Sequence, residues 1–319
     1  MRFVKGKDLV LMAGLILAKL LELFPSERFW KSAVFVLAKT SYLFLGKRAR
    51  SAKSNLRFVF GQELSDSTLR RIILESFRGK WEEVLYLGSG RITRNAVEQI
   101  ETTGLDQLEK ALALGKGAIL WEASYFGYRN LSKQYLKHRG FQIHQLHSEA
   151  HLLGNPTFIS RRVLKPFVYR YERGFLAQLI IISNPDSLSF TRELTNRLHR
   201  NGVVAIAGGG EVSRGFVPTR FFGQPTFFAK GASSLSRLTG APVIPTFCYW
   251  DSDEGHHRLI FEPSIDAARF AEFRTPVGEA VIQCVRTLES YVRTYPGQFW
   301  NWQISFNKLF QGPSGTPRA

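Results

Sequence analysis

Gly115-Lys116-Gly117-Ala118-Ile119-Leu120-Trp121-Glu122 is the stretch that decides the fold. Its glycines end the helical pattern of Leu105 to Leu114, and the apolar run behind them is too short for a helix. Such a run reads as a strand buried on both faces, the form a parallel-sheet strand takes in sequence. The same alternation continues on either side. A helical pattern from Ser189 to Arg200 leads into the apolar run Gly202 to Ala207, which stops at Gly208-Gly209-Gly210. A helix over Lys230 to Thr239 precedes a strand from Pro242 to Trp250, and Phe141 to Leu146, Leu179 to Ser183 and Arg258 to Phe261 read as further strands. Longer helices are expected from Leu64 through Leu87 and from Pro276 to Tyr295. The expectation is an α/β domain over residues 47–310, with a mixed, largely parallel sheet flanked by helices, and a flexible tail over 311–319.

The net charge of +17 calls for a polyanionic partner: nucleic acid, an anionic membrane surface or a phosphorylated substrate. No zinc-finger spacing or RNA-binding aromatic signature is present, and 26 Phe with 6 Trp is more apolar than a nucleic-acid arm. No nucleic-acid partner is therefore expected, and the membrane reading gains weight. Cys248 and Cys284, the two cysteines, provide neither a disulfide framework nor a cysteine-based metal site, and read as buried small hydrophobes.

Residues 1–46 point the same way. Arg2, Lys5 and Lys7 precede the apolar run Leu9 to Ala18, which is shorter than the roughly 20 residues a spanning helix needs. Glu22-Leu23-Phe24-Pro25 does not resemble a signal-peptidase site. A second apolar segment, Ser32 to Leu45, is interrupted by Lys39 and ends in Lys47, Arg48, Arg50 and Lys53, the type of flank an anionic leaflet attracts. One or two membrane-contacting helices are expected here, with a single tilted span left open.

Six segments in order resemble the late acyltransferases of lipid A biosynthesis and their lysophospholipid-acyltransferase relatives. Arg50-Ser51-Ala52-Lys53-Ser54-Asn55-Leu56 is similar to the family's Arg-x4-Asn-Leu helix. Gly117-Ala118-Ile119-Leu120 with Phe126-Gly127 resembles the strand and turn that present its catalytic motif. Leu198 to Val204 is similar to its Leu-x-x-Gly-x-Val element. Gly215-Phe216-Val217-Pro218 with Phe221-Phe222-Gly223 resembles its Phe-Val-x-Phe-Phe-Gly block, with Thr219-Arg220 inserted. Thr239 to Pro245 is similar to its Thr-Gly-Ala-Pro-Val-x-Pro segment, and Tyr295 to Trp302 to its Pro-x-Gln-Trp-x-Trp ending. The resemblance implies transfer of a fatty acyl group from an acyl-carrier protein or coenzyme A thioester to a hydroxyl of a glycolipid or lysophospholipid. It also implies the cytoplasmic face of a bacterial inner membrane, membrane lipids as partners, and no bound cofactor or metal.

The chain departs from this pattern at the chemistry. The family's His-x4-Asp or His-x4-Glu uses imidazole as general base and a carboxylate to orient it. Alignment of the strand and turn puts Ser124 at the histidine and Arg129 at the acid, and neither side chain can take over that role. Glu122, two residues before Ser124, would share its face of a continuing strand at the sheet's C-terminal edge, and is the candidate replacement base. A structural carboxylate paired with Arg129 or another arginine is the competing reading.

Arg161, Arg162 and Arg170, interleaved with aromatics, are candidate contacts for donor or lipid phosphates, or else a solvated or membrane-facing basic helix. Arg214 and Arg220, with Phe222 and Gly223, belong to the block that resembles the family's phosphate- and acceptor-binding turn. His144, His147 and His151 crowd one region with Glu149 among them. His147-x3-His151 has a metal-compatible helical spacing, but no third ligand completes a site, which leaves a surface or structural role or a substitute base as the other readings. His256-His257 reads as solvated in a hairpin turn, and the triple glycine 208–210 as a tight strand-to-loop turn.

Overall fold

The computed structural model describes residues 5–24, 26–123, 126–148, 157–182, 189–209, 213, 215–266 and 276–304. Ser124, Glu149, His151, Gly210, Arg214 and the tail 311–319 lie outside the described residues.

The centre is a seven-stranded sheet in the order β1-β9-β8-β2-β5-β3-β4, whose strands are β1 Glu101–Thr103, β2 Ala118–Glu122, β3 Ile143–Ser148, β4 Gln178–Ile182, β5 Val203–Ala207, β8 Val243–Asp251 and β9 His256–Phe261. Every pairing in it is parallel except the β8–β9 hairpin. The mixed, largely parallel sheet expected from the sequence is therefore present. β2 sits between β5 and β8 and is buried along its whole length. Its side chains alternate between two cores: Ile119 and Trp121 enter one, Ala118 and Leu120 the other.

Helices cover both faces. On the Ile119 side lie α9 Ser189–His199, α10 Gly231–Thr239 and α11 Pro276–Thr294, together with α3 Gly46–Phe60. On the Leu120 side lie α5 Gly90–Glu98, α6 Leu105–Ala113 and α7 Arg129–His138. The long α4, Asp66–Gly88, serves both cores, with Leu69, Ile73 and Phe77 in one and Leu85 and Tyr86 in the other. Ser65 caps its start by accepting the Thr68 amide at 3.1 Å. Ser89 ends it and caps α5 in turn by accepting from the Ile92 amide.

The N-terminal helices α1 Gly6–Leu21 and α2 Glu27–Phe44 pack against α4. The approach of α1 is close enough to need small residues. A Cβ on Gly88 would lie 2.5 Å from that of Ala18, and one on Gly14 would lie 2.6 Å from Val84. The outward sides stay apolar: Leu9, Ile16, Leu23, Phe35, Leu43 and Phe44 are all exposed. No described helix is long and apolar enough to cross a membrane.

Two short features have no counterpart in the sequence reading. β1 has three residues, and β6 Phe216–Phe221 pairs with β7 Gln224–Ala229 as a separate antiparallel ribbon that turns at Phe222-Gly223. The expected turn at Gly208 has a physical cause: a Cβ there would fall inside the Trp121 indole. Cys248 and Cys284 are buried free thiols, as expected. The histidine pair is different. His256 pairs with Glu101 at 2.7 Å near the surface, while His257, pointing the other way along β9, is buried among Tyr86, Tyr128 and Trp250. His147 also departs from its helical spacing, because it lies on β3, edge-on to Tyr169.

Candidate active site

The C-terminal end of β2 is held from three sides. Glu122, its last residue, points to the α7 side and is 1% exposed. Lys133 Nζ lies 2.8 Å from its carboxylate, and Ser132 Oγ donates to the other oxygen at 3.3 Å. The partner of Glu122 is thus a lysine one turn into α7, in place of the expected arginine. Arg129, the first residue of α7, joins the same field: its charge and that of Lys133 act on Glu83 of α4 and on Glu172 of α8 (Lys165–Arg173).

This interior cluster sets acids against two cations. Burial pushes the Glu83 carboxyl up to about 7, with Arg129 and Lys133 opposing, although part of its side chain still meets solvent. Burial raises Glu172 as well, and lowers Lys133 against the pull of Glu122. Of these groups Glu122 and Lys133 are in direct contact and join β2 to α7, while Glu83 on α4 and Glu172 on α8 act on them through their charge.

Beyond β2 the turn is fastened to the C-terminal segment. Phe126 bridges Phe299, the Gly127 amide donates to the Gln298 carbonyl at 3.1 Å, and the Tyr128 amide donates to that of Cys248 at 2.7 Å. Gly127 has φ +59°, and a Cβ there would collide with the Cys248 carbonyl. Tyr128 O–H donates to Glu82, which also accepts from Arg78 Nε at 2.8 Å. Arg78 in turn lies over the Trp250 ring, 5.6 Å from its centroid.

Arg78, Glu82, Tyr128 and Trp250 form one end of a groove of about 1100 Å³ running along α4. Phe35, Ala38 and Tyr42 of α2 line one side, and Arg293, Tyr295 and Gln298 the other. Glu75 lies between them, accepting from Gln298 Nε2 at 2.6 Å. Burial raises its pKa, while the Gln298 hydrogen bond and the charges of Arg78 and Arg71 pull it down.

Of the residues marked in the sequence, Glu122 and Arg129 come together at the β2 turn. Arg161 and Arg162, in the π-helical turn Ser160–Leu164, and Arg170 on α8 are exposed. They neighbour Phe158, Val163 and Phe167, which are exposed too. That segment is tied to α1 by Thr157, which donates to the buried Asp8 at 2.7 Å. Arg220 closes its own hairpin by donating to the Gly223 carbonyl at 2.8 Å. Phe222 is buried, its amide donating to Glu289 at 2.8 Å, with Arg293 stacked on its ring. The groove residues Arg70, Arg71, Glu75 and Arg78 escaped the sequence reading; the only available signal was a charged stripe on α4 at spacings of three and four. Among the described residues no three His, Cys, Asp or Glu side chains converge as a metal site.

A doubly covered, mostly parallel sheet with charged groups gathered at the C-terminal end of a central strand defines an α/β protein, the class whose sites generally open at that edge. Residues 3–306 match the family model of the bacterial lipid A biosynthesis acyltransferases, and the chain belongs to that family. It is similar to a phosphatidylinositol mannoside acyltransferase of Mycobacterium tuberculosis (strain ATCC 25618 / H37Rv), with 30% identity over 187 residues, 56% of this chain and 53% of the relative. Another phosphatidylinositol mannoside acyltransferase, from Mycolicibacterium smegmatis, is 26% identical over 225 residues, 68% of this chain and 67% of the relative. The match thus spans about half the length of the Mycobacterium tuberculosis relative.

Proposed function

We propose that this protein transfers a fatty acyl group from an acyl-carrier protein or coenzyme A thioester to a hydroxyl of a glycolipid or lysophospholipid, at the cytoplasmic face of a bacterial inner membrane. The family match over residues 3–306 carries this reading. In the reaction, the acceptor oxygen forms a bond to the thioester carbon, the carbon–sulfur bond breaks, and the acceptor's proton passes by way of a base to the departing thiolate. The turn after β2 is the place for that exchange, with Glu122, Ser124 and Arg129 serving the reacting groups. Apolar faces on α1 and α2, and the exposed Arg161, Arg162 and Arg170 beside Phe158 and Phe167, support contact with an anionic lipid surface. By their motif, Arg214, Arg220, Phe222 and Gly223 are assigned to contacts with the acceptor or its phosphate.

One observation favours a second reading, a catalytically silent family member that binds lipid. The Glu122 carboxylate is sealed from water and already engaged by Lys133, which opposes its service as a base.

Incubating purified protein with radiolabelled acyl-carrier protein and a panel of hydroxyl-bearing lipids separates the two. Transfer by the wild type that falls at least 100-fold in Glu122→Gln, with that variant still folded by circular dichroism, supports catalysis through Glu122. Transfer unchanged by that substitution removes Glu122 from the chemistry and leaves the reaction standing. No product with any acceptor, alongside measurable lipid binding, overturns the enzyme reading.

A further inference from the structure

The groove along α4 carries chemistry that a reaction at the β2 turn leaves unused. Arg70 and Arg71 line it from α4, both exposed, and neither holds a hydrogen bond or an ion pair among the described residues. Two adjacent exposed guanidinium groups, Arg71 also within the field of Glu75, suit a phosphate, which arginine grips through paired N–H donors. Deeper in, Arg71, Glu75 and Arg78 follow one another at spacings of four and three, along one face of the helix. Glu75 is held there by Gln298 and by the lack of a side chain on Gly297, where a Cβ would strike the carboxylate. The half-buried Trp250 ring also lines the groove.

The opposite wall is apolar and leads outward. Phe35, Ala38 and Tyr42 line the groove at helical spacing, and Phe35 is at the same time 57% exposed. Beside it, Val36, Leu43 and Phe44 continue the exposed apolar side of α2, while Lys47, Arg48 and Arg50 follow at the start of α3. A ligand that fits must therefore join an anionic, hydrogen-bonding head to a hydrocarbon chain. A free anion would leave the α2 wall without an occupant, and a plain fatty acid would not use the arginine pair together with Glu75.

We propose that this groove binds an anionic phospholipid, with its phosphate on Arg70 and Arg71, its head-group hydroxyls toward Glu75, and its acyl chain against Phe35 and Tyr42. Its role as the acceptor subsite rests on the acyl-transfer reading, but the lipid binding does not.

The test is calorimetric titration of the full chain with dihexanoyl phosphatidylglycerol below its micelle concentration, with dihexanoyl phosphatidylcholine and inorganic phosphate in parallel. The anionic lipid should bind saturably and at least tenfold more tightly than either comparison compound. Arg70→Gln/Arg71→Gln should weaken it at least tenfold, and Phe35→Ser several-fold, with unchanged thermal midpoints because these side chains are exposed. Phosphate binding as tight as the lipid would reduce the site to an anion patch and overturn the proposal. Unaltered lipid binding in the arginine variant would overturn it as well. If that variant binds lipid weakly yet acylates an acceptor at the wild-type rate, the acceptor subsite falls and the reaction stands. If lipid binding follows the stated pattern and no acceptor is acylated, the groove assignment stands and the acyl-transfer reading falls.

Discussion

Lys133 Nζ stands 2.8 Å from the Glu122 carboxylate with both side chains almost sealed from water, so a buried ion pair joins the end of β2 to α7. Removing one partner strands the other in a low-dielectric interior, whereas replacing both does not. Lys133→Met should destabilise the fold by about 3–5 kcal/mol. Glu122→Leu/Lys133→Met should recover a large part of that loss, but not all, because Glu83 and Glu172 also draw on the Lys133 charge. Urea unfolding of the wild type, both single variants and the double variant provides the cycle. A fully additive double variant would show that the pair is not coupled.

Gly208 is required by its neighbour. A methyl group there would occupy the space of the Trp121 indole in the core of the sheet, and overpacking of this type costs roughly 1–3 kcal/mol. Gly208→Ala should lower the thermal midpoint accordingly. Gly231→Ala at the start of α10, where an added Cβ meets nothing within 4 Å, should leave it unchanged or slightly raised.

His257 makes the fold acid-sensitive. Burial, with Arg78 next in weight, pushes its pKa down to about 3, from 6.5 for a free histidine. Between those values the unfolded chain binds the proton and the folded chain does not. The contribution of the neutral ring is therefore complete above about pH 6.5 and is lost as pH falls toward 3, at up to about 1.4 kcal/mol per pH unit. His257→Phe should show a flatter stability profile from pH 7 to 4 in denaturant titrations. An equally steep profile would place the acid sensitivity elsewhere.

The proposed membrane contact assigns a role to the exposed apolar side chains at the end of α2. Leu43 is 66% exposed and Phe44 83%, so charges there should not disturb the core. Leu43→Glu/Phe44→Glu is expected to reduce co-sedimentation with phosphatidylglycerol vesicles at least fivefold while the thermal midpoint stays within a degree or two, since such surface changes cost about 0.5 kcal/mol or less. Undiminished sedimentation would remove α2 from the lipid contact.

Elements with long, regular periodicity were legible. β2 and β5 are apolar runs up to Glu122 and Ala207, and β8 is largely apolar, because both sheet faces are covered, and α4 and α11 repeat apolar residues every three to four positions. β1 is too short to show a period. The β6–β7 ribbon hides behind Pro218, Arg220 and Pro225, which a two-stranded element tolerates because its outer edges need no partners. His257 could not be told from His256 by type, because one step along β9 turns a side chain from the surface into the core.

At the site, the sequence showed a carboxylate at the end of β2 and the absence of both members of the family dyad, because both are matters of residue type at a position. It could not show that Lys133 would meet Glu122, since that contact depends on how α7 returns over the sheet. The groove was hidden more deeply: Arg71, Glu75 and Arg78 read as the polar face of a helix until α2 and the 296–298 turn close around them. The sequence by itself determined the α/β class, the covered central strands, the family and the apolar N-terminal helices, all carried by local pattern and ordered motifs. Tertiary structure alone decided which charges are sealed together and which face an open groove, because burial and pairing arise between segments far apart in the chain.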